Sequence, residues 1–146
     1  MNSTWIVVAE SARARIFAVS EIGGKLREVA DLSHPESRLH ARELSSDLPG
    51  RAFDSHGEGR HGMEQATDLK DQEAHTFAVE IARHVDRNRL DGSFDALILV
   101  APPKFLGRLR SELSKACKDA VIGELGKNLV EADEKTLQGQ LSELLR

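Results

Sequence analysis

The chain has one cysteine, no tyrosine, one tryptophan and four prolines in 146 residues. A lone Cys117 cannot close an internal disulfide, which excludes a disulfide scaffold and fits a reducing compartment. There is no excess of positive charge: 20 Lys and Arg stand against 24 Asp and Glu, for a net charge of −4. A generally basic nucleic-acid coat is therefore excluded, and any contact with nucleic acid would have to use a local patch. The first apolar run, Trp5-Ile6-Val7-Val8-Ala9, is cut short by Glu10 and has no Lys or Arg before it. It is too short for a membrane span and lacks the flanks of a signal peptide, so a cytoplasmic location without membrane contact is expected. No G-x-S-x-G turn surrounds Ser11, and Cys117 lacks a neighbouring His with Asp or Asn, so nucleophilic catalysis has no support. No internal repeat or low-complexity tract is present.

What is present is the material of a single domain over residues 1–146. An apolar fraction of 40% and a charged fraction of 30% are typical of a globular chain that can bury a core. Thr4–Glu10 and Ala14–Val19 are β-branched runs joined by Glu10-Ser11-Ala12-Arg13, which predicts a hairpin. Gly23-Gly24 makes the next turn, and Lys25–Leu32 carries the partial alternation of an edge strand. Asp68 and Asp71 form a capping pair ahead of a helix in which Ala74, Phe77, Ala78, Ile81, Ala82 and Val85 recur at three- and four-residue steps. Gly92 ends it. "DALILVA", Asp95–Ala101, is a nearly continuous apolar run, as expected of a strand covered on both faces. Pro102-Pro103 opens a helix burying Phe105, Leu106, Leu109 and Leu113. Ala120–Leu125 reads as a second central strand, and Asp133 caps a last helix with Leu137, Leu141, Leu144 and Leu145 inward. The order βββ-α-β-α-β-α predicts an α/β fold: a mixed sheet of about five strands, ribonuclease H-like in topology.

Between the third strand and the first helix the periodicity stops, and an extended loop is expected at about 33–66, with a brief helical turn at His40–Leu44. Structureless connections beyond ~15 residues are uncommon in compact domains and tend to be functional or disordered. Its centre, "LPGRAFDSHGEGRHGMEQ" (Leu48–Gln65), holds Arg51, His56, Arg60 and His61 among glycines that let backbone N–H groups approach a phosphate closely. Arg51, Arg60 and His61 are the first expected contacts, with His56 beside them. Arg13, Lys104 and Arg108 complete the expected binding set. Asp54, His56 and His61 match no standard zinc spacing, so no metal is expected, nor any cofactor. A ribonuclease H-type nuclease would need several carboxylates on two Mg²⁺ ions. Glu10 would be the first-strand acid, but the fourth strand ends in Val100-Ala101-Pro102, and Asp95 lies at its other end. That reading fails, leaving Glu10 as a turn residue or a partner for Arg13 or Arg15. Lys104, Arg108 and Lys115 fall on one stripe of the second helix, either a phosphate-binding ridge or, more commonly, a solvated face. The prolines of "APPKFLG" remove N–H donors from a strand-to-helix crevice and make it a poor phosphate cradle.

Four stretches carry a resemblance: "VVAESARARIFAV" (Val7–Val19), "HPESRLHARELSSDLPGRAFDS" (His34–Ser55), "GRHGME" (Gly59–Glu64) and "LILVAPPKFLGRLRSELSK" (Leu97–Lys115). Together they resemble the bacterial host attachment proteins, described as required for attachment to host cells. Glu10 departs from that pattern, where Asp is the expected acid. The family is similar in topology to the middle domain of archaeal and eukaryotic peptide-chain release factors. There the loop ahead of the first long helix carries a Gly-Gly-Gln motif that enters the ribosomal peptidyl-transferase centre. "HGMEQ" (His61–Gln65) has a Gly and a Gln in the wrong spacing, so catalysis is not carried onto Gln65. The resemblance implies a non-enzymatic factor that meets RNA or the ribosome through residues 48–65. The alternative is attachment through a protein or polysaccharide partner, and the third is a peptidyl-tRNA hydrolase-like activity.

Overall fold

Thr4–Ala9 is buried along its whole length and forms β1, the middle strand of the sheet. The computed structural model describes residues 3–21, 23–34 and 58–144. The expected turn at His40–Leu44, together with Arg51 and His56, lies outside them. On one side of β1 runs the meander: β2 (Arg13–Val19) pairs antiparallel with β1, and β3 (Arg27–Ser33) antiparallel with β2. On the other side β4 (Ala96–Val100) pairs parallel with β1, and β5 (Val121–Leu125) parallel with β4. The order is β3-β2-β1-β4-β5, a five-stranded mixed sheet compatible with a ribonuclease H-like arrangement. Among the described residues four helices complete it: α1 (Glu58–Leu90), α2 (Pro103–Glu112), α3 (Lys115–Ala120) and α4 (Glu134–Leu144).

Alternation along β1 divides the interior in two. Trp5 and Val7, with Ile16, Leu97 and Leu99, face Phe77, Ile81 and Val85 of α1 and Leu109 of α2. Ile6 and Val8, with Phe17, Ile98 and Val100, face Leu137 and Leu141 of α4. Burying each such side chain contributes about 1.5–3 kcal/mol, so both faces are needed to offset the chain entropy.

The structure differs from the sequence reading in three places. First, α1 begins at Glu58, so Asp68 and Asp71 are not caps but interior positions of a 33-residue helix, and the expected loop gives up residues 58–66. Extending a helix already nucleated costs little per residue, and Met63, Glu64, Gln65 and Ala66 are good helix formers, which outweighs Gly59 and Gly62. Second, β5 is an edge strand, not a central one; Ile122 is 49% exposed on it. Third, the helix after Pro102 stops at Glu112, because Leu113 is extended (φ −69°, ψ 147°) and Ser114 starts α3 by accepting the Cys117 N–H. Lys115 therefore leaves the stripe of Lys104 and Arg108.

Candidate functional site

The carboxyl ends of the parallel neighbours β1 and β4 open the crevice in which α/β sheets commonly bind ligands. At the end of β1 the chain reverses in four residues. The Glu10 N–H donates to the Arg13 carbonyl at 2.8 Å, and the Glu10 carboxylate accepts the Ala12 N–H at 2.8 Å. Glu10 is thus a turn residue, as one of its two sequence readings held. At the end of β4, Ala101 donates to the Leu125 carbonyl, and Pro103 fills the first helical position of α2. The first helical bond is Leu106 N–H to the Pro102 carbonyl at 2.8 Å. Two prolines here leave few amides to hold an anion, so charge at this end must come from side chains.

Those side chains are Lys104 and Arg108, one turn apart on α2. Both converge on Asp71 of α1: Lys104 Nζ and Arg108 Nη2 each lie 3.3 Å from Asp71 Oδ1. Arg108 Nη1 also donates to the Asp71 carbonyl at 3.3 Å. Two cations sharing one carboxylate leave a local excess of one positive charge, and the Lys104 side chain is 75% exposed. A buried polar group also lies against α1. His34 is 6% exposed, donates its backbone N–H to Ala12, and sets its ring 5.6 Å from that of Phe77, while its Nε2 has no hydrogen-bond partner among the described residues.

Three other arginines have structural duties. Arg13 grips Asp31 through two nitrogens, at 3.3 and 3.0 Å, and reaches Glu131 at 3.3 Å. The hydrogen bonds to Asp31 hold its pKa above the ordinary value. Arg15 pairs with Glu28, donates to the carbonyls of Val130 and Ala132, and lies 4.9 Å over the Phe17 ring. These two arginines tie the approach to α4 onto the meander. Arg110 is bonded to both oxygens of Glu124 on β5, at 2.8 and 2.7 Å, which lowers the Glu124 pKa.

Of the expected site residues, then, Lys104 and Arg108 are brought together and Arg13 sits apart on the opposite face of the sheet. Arg60 and His61 fall in the first turns of α1. Among the described residues no group of three or more His, Cys, Asp or Glu is placed to hold a metal. Two features went unread in the sequence. One is Asp71 as the hub of the knot. The other is a groove of about 450 Å³ between β3 and α1, lined by Leu32, Ser33, Glu80, Arg83, His84 and Arg87 with Asp31. His84 stacks on Trp5 at 6.2 Å, and burial together with the charge of Arg87 lowers its pKa, so the ring is neutral at pH 7. Arg83 and Arg87, four apart on a helix, were the visible signal for it.

Residues 5–141 match the family described as "Protein required for attachment to host cells". The chain belongs to this family. This host-attachment family member is 31% identical over 89 residues to an uncharacterized protein of Rickettsia prowazekii (strain Madrid E), a match covering 60% of the chain and 53% of the relative. The chain thus spans about half the length of that curated relative. Among solved structures it resembles an archaeal translation termination factor, with a TM-score of 0.50 and 13% identity over 97% of the chain and 37% of the factor. At that identity the likeness speaks for the fold alone.

Proposed function

We propose that this host-attachment family member is a non-enzymatic factor that binds RNA, in association with the ribosome, at the sheet end from which α1 extends. The contacts are Arg60 and His61 on α1 and Lys104 and Arg108 at its base, with Arg51 and His56 from the connection before it. The observation that carries this reading is the length of α1. It runs 15 residues, roughly 22 Å at the ordinary helical rise, ahead of Glu73, the first buried residue among its described side chains. The neighbouring excess of positive charge suits phosphate, which guanidinium binds in bidentate fashion. The likeness to a translation termination factor supports the same direction.

Ultraviolet crosslinking in cells, followed by sedimentation through a sucrose gradient, tests it. Wild-type protein is expected to crosslink to RNA and travel with ribosomal particles. A variant carrying Arg60→Glu, Lys104→Glu and Arg108→Glu is expected to lose both. Wild-type protein free of RNA and of ribosomes overturns the reading. The family description favours a second one, contact with a protein or polysaccharide in host attachment. Recovery of the chain in the envelope or secreted fraction supports that alternative.

A further inference from the structure

We propose that β5 is a pairing edge for a second copy of this chain, joining two five-stranded sheets into one about a two-fold axis at Gly123. The surface is separate from the RNA-facing end and does not depend on that reading. β5 closes the sheet on the side away from the meander, and none of its five residues is buried, whereas four of the five in β4 are. Residues 115–120 before it and 126–133 after it leave Ile122 exposed and Gly123 and Glu124 half-buried. The Ala101 N–H donates to the Leu125 carbonyl, so the backbone groups of Leu125 point toward β4. Along a strand these directions alternate, which turns Gly123 inward as well and Glu124 outward. Leu97 lies opposite Val121 and Ile98 opposite Gly123, so Ile122 has no counterpart in β4. The extra residue of such a bulge is left out of the ladder. No hydrogen bond reaches the backbone of Ile122 or Glu124 from beyond the sheet among the described residues. β5 therefore offers the N–H and C=O groups of two residues, with a glycine between them.

That spacing is self-complementary. An antiparallel copy centred on Gly123 sets Ile122 opposite the partner's Glu124 and Glu124 opposite the partner's Ile122, so both bonded pairs form and every outward group is used. Centred on Glu124, the pairing would bring two carboxylates face to face, and centred on Ile122 it would leave the groups of Glu124 unused. In the Gly123 register the Glu124 carboxylate is already held by Arg110, at 2.8 and 2.7 Å, so Ile122 meets a neutralised ion pair. Charge at the two ends of the strand favours the same register. Asp119 stands four residues before Gly123 and Lys127 four after, both exposed. Among the described residues Asp119 has no ion-pair partner, and Lys127 bonds the neutral Gln140 at 3.0 Å. Reversing one strand beside the other brings each Asp119 to the end where the partner's Lys127 stands, which makes two attractive pairs. An unrelated strand has no reason to match these ends, whereas a two-fold dimer needs one self-matching patch. Five residues and a bulge make a short edge, which limits indiscriminate pairing and keeps the association weak.

Sedimentation equilibrium of the full chain over a concentration series, up to about 1 mM at the weak end of specific association, tests it. The mass is expected to rise from one chain to two and no further, since a two-fold pair closes on itself. Ile122→Lys places on the edge the residue type that guards edges, at an exposed position. It is expected to weaken association roughly tenfold, because the axis counts each change twice. Asp119→Lys and Lys127→Asp are each expected to weaken association as well, and their combination to restore it. Should Ile122→Lys misfold by circular dichroism, hydrogen exchange on the unaltered chain makes the same test. The amides of Ile122 and Glu124 are then expected to exchange more slowly as concentration rises. A chain that stays monomeric throughout overturns the proposal. So does a dimer indifferent to Ile122→Lys, a paired charge swap that restores nothing, or β5 amides that exchange alike at every concentration.

Discussion

Arg13, Arg15, Arg108 and Arg110 each end on a carboxylate of another element, so at the scale of single residues these four basic groups help to hold the fold. Cys117 shows how far burial can take a reactive group out of use. It lies fully buried beside Asp86, which accepts a 2.6 Å hydrogen bond from Ser114. Burial first, and the hydrogen bond to Asp86 second, push the thiol from its ordinary 9.0 up to about 11. Because the pKa is raised on folding, the stability it contributes is complete below pH 9.0 and is lost as pH climbs through about 11. Urea midpoints of the wild type and of Cys117→Ala, compared across that interval, are expected to converge as pH rises. Parallel curves would show that the thiol does not titrate differently in the two states. The native thiol should also resist disulfide reagents at neutral pH until urea unfolds the chain.

Among the elements, α1 shows what a sequence signals and what it conceals. Its carboxyl end was legible, since only a glycine suits the conformation that closes it. Gly92 has φ +80°, donates to the Arg89 carbonyl, and lets Ser93 donate to Asn88 in the six-to-one bond of a Schellman motif. Its amino end was not, because Asp68 and Asp71 imitate a capping pair while the helix propagates back through two glycines. Lys104 and Arg108 were correctly read on one stripe, but counting straight on to Lys115 passed through Leu113, where the backbone becomes extended. The groove at β3 was hidden for a different reason: the partial alternation marked β3 correctly as an edge strand, but no local pattern tells which helix lies across from it, and the apolar run of β5 imitated a central strand. Gly92→Ala is the clean measure of the closing turn. A Cβ there meets nothing within 4 Å, so its cost is backbone strain alone. The expected loss is about 1 kcal/mol in urea denaturation. A neutral result would mean that the helix end relaxes into another cap.

For the whole molecule the deciding quantity is how charge is distributed, since the sum is negative. A net charge of −4 repels polyanions at long range, and the sheet end beside α1 must overcome that with a few local cations. Asp71 restrains them: it holds Lys104 and Arg108 in place and cancels one of the two charges. At 45% exposure its ion pairs contribute about 1 kcal/mol or less to stability, so Asp71→Asn should fold as the wild type does. Its effect on RNA is another matter. If Arg60, Lys104 and Arg108 meet about three phosphates of a single strand, log K against log salt should fall with a slope of roughly −2. Freeing the two cations of their shared carboxylate should strengthen binding at low salt and make that slope steeper by up to about one. Affinity measured by filter binding at several salt concentrations separates the possibilities. A slope near zero that Asp71→Asn leaves unchanged would show that this end of the sheet does not bind nucleic acid by its charge, and the contact residues would then have to be sought on the surface that meets a protein or polysaccharide.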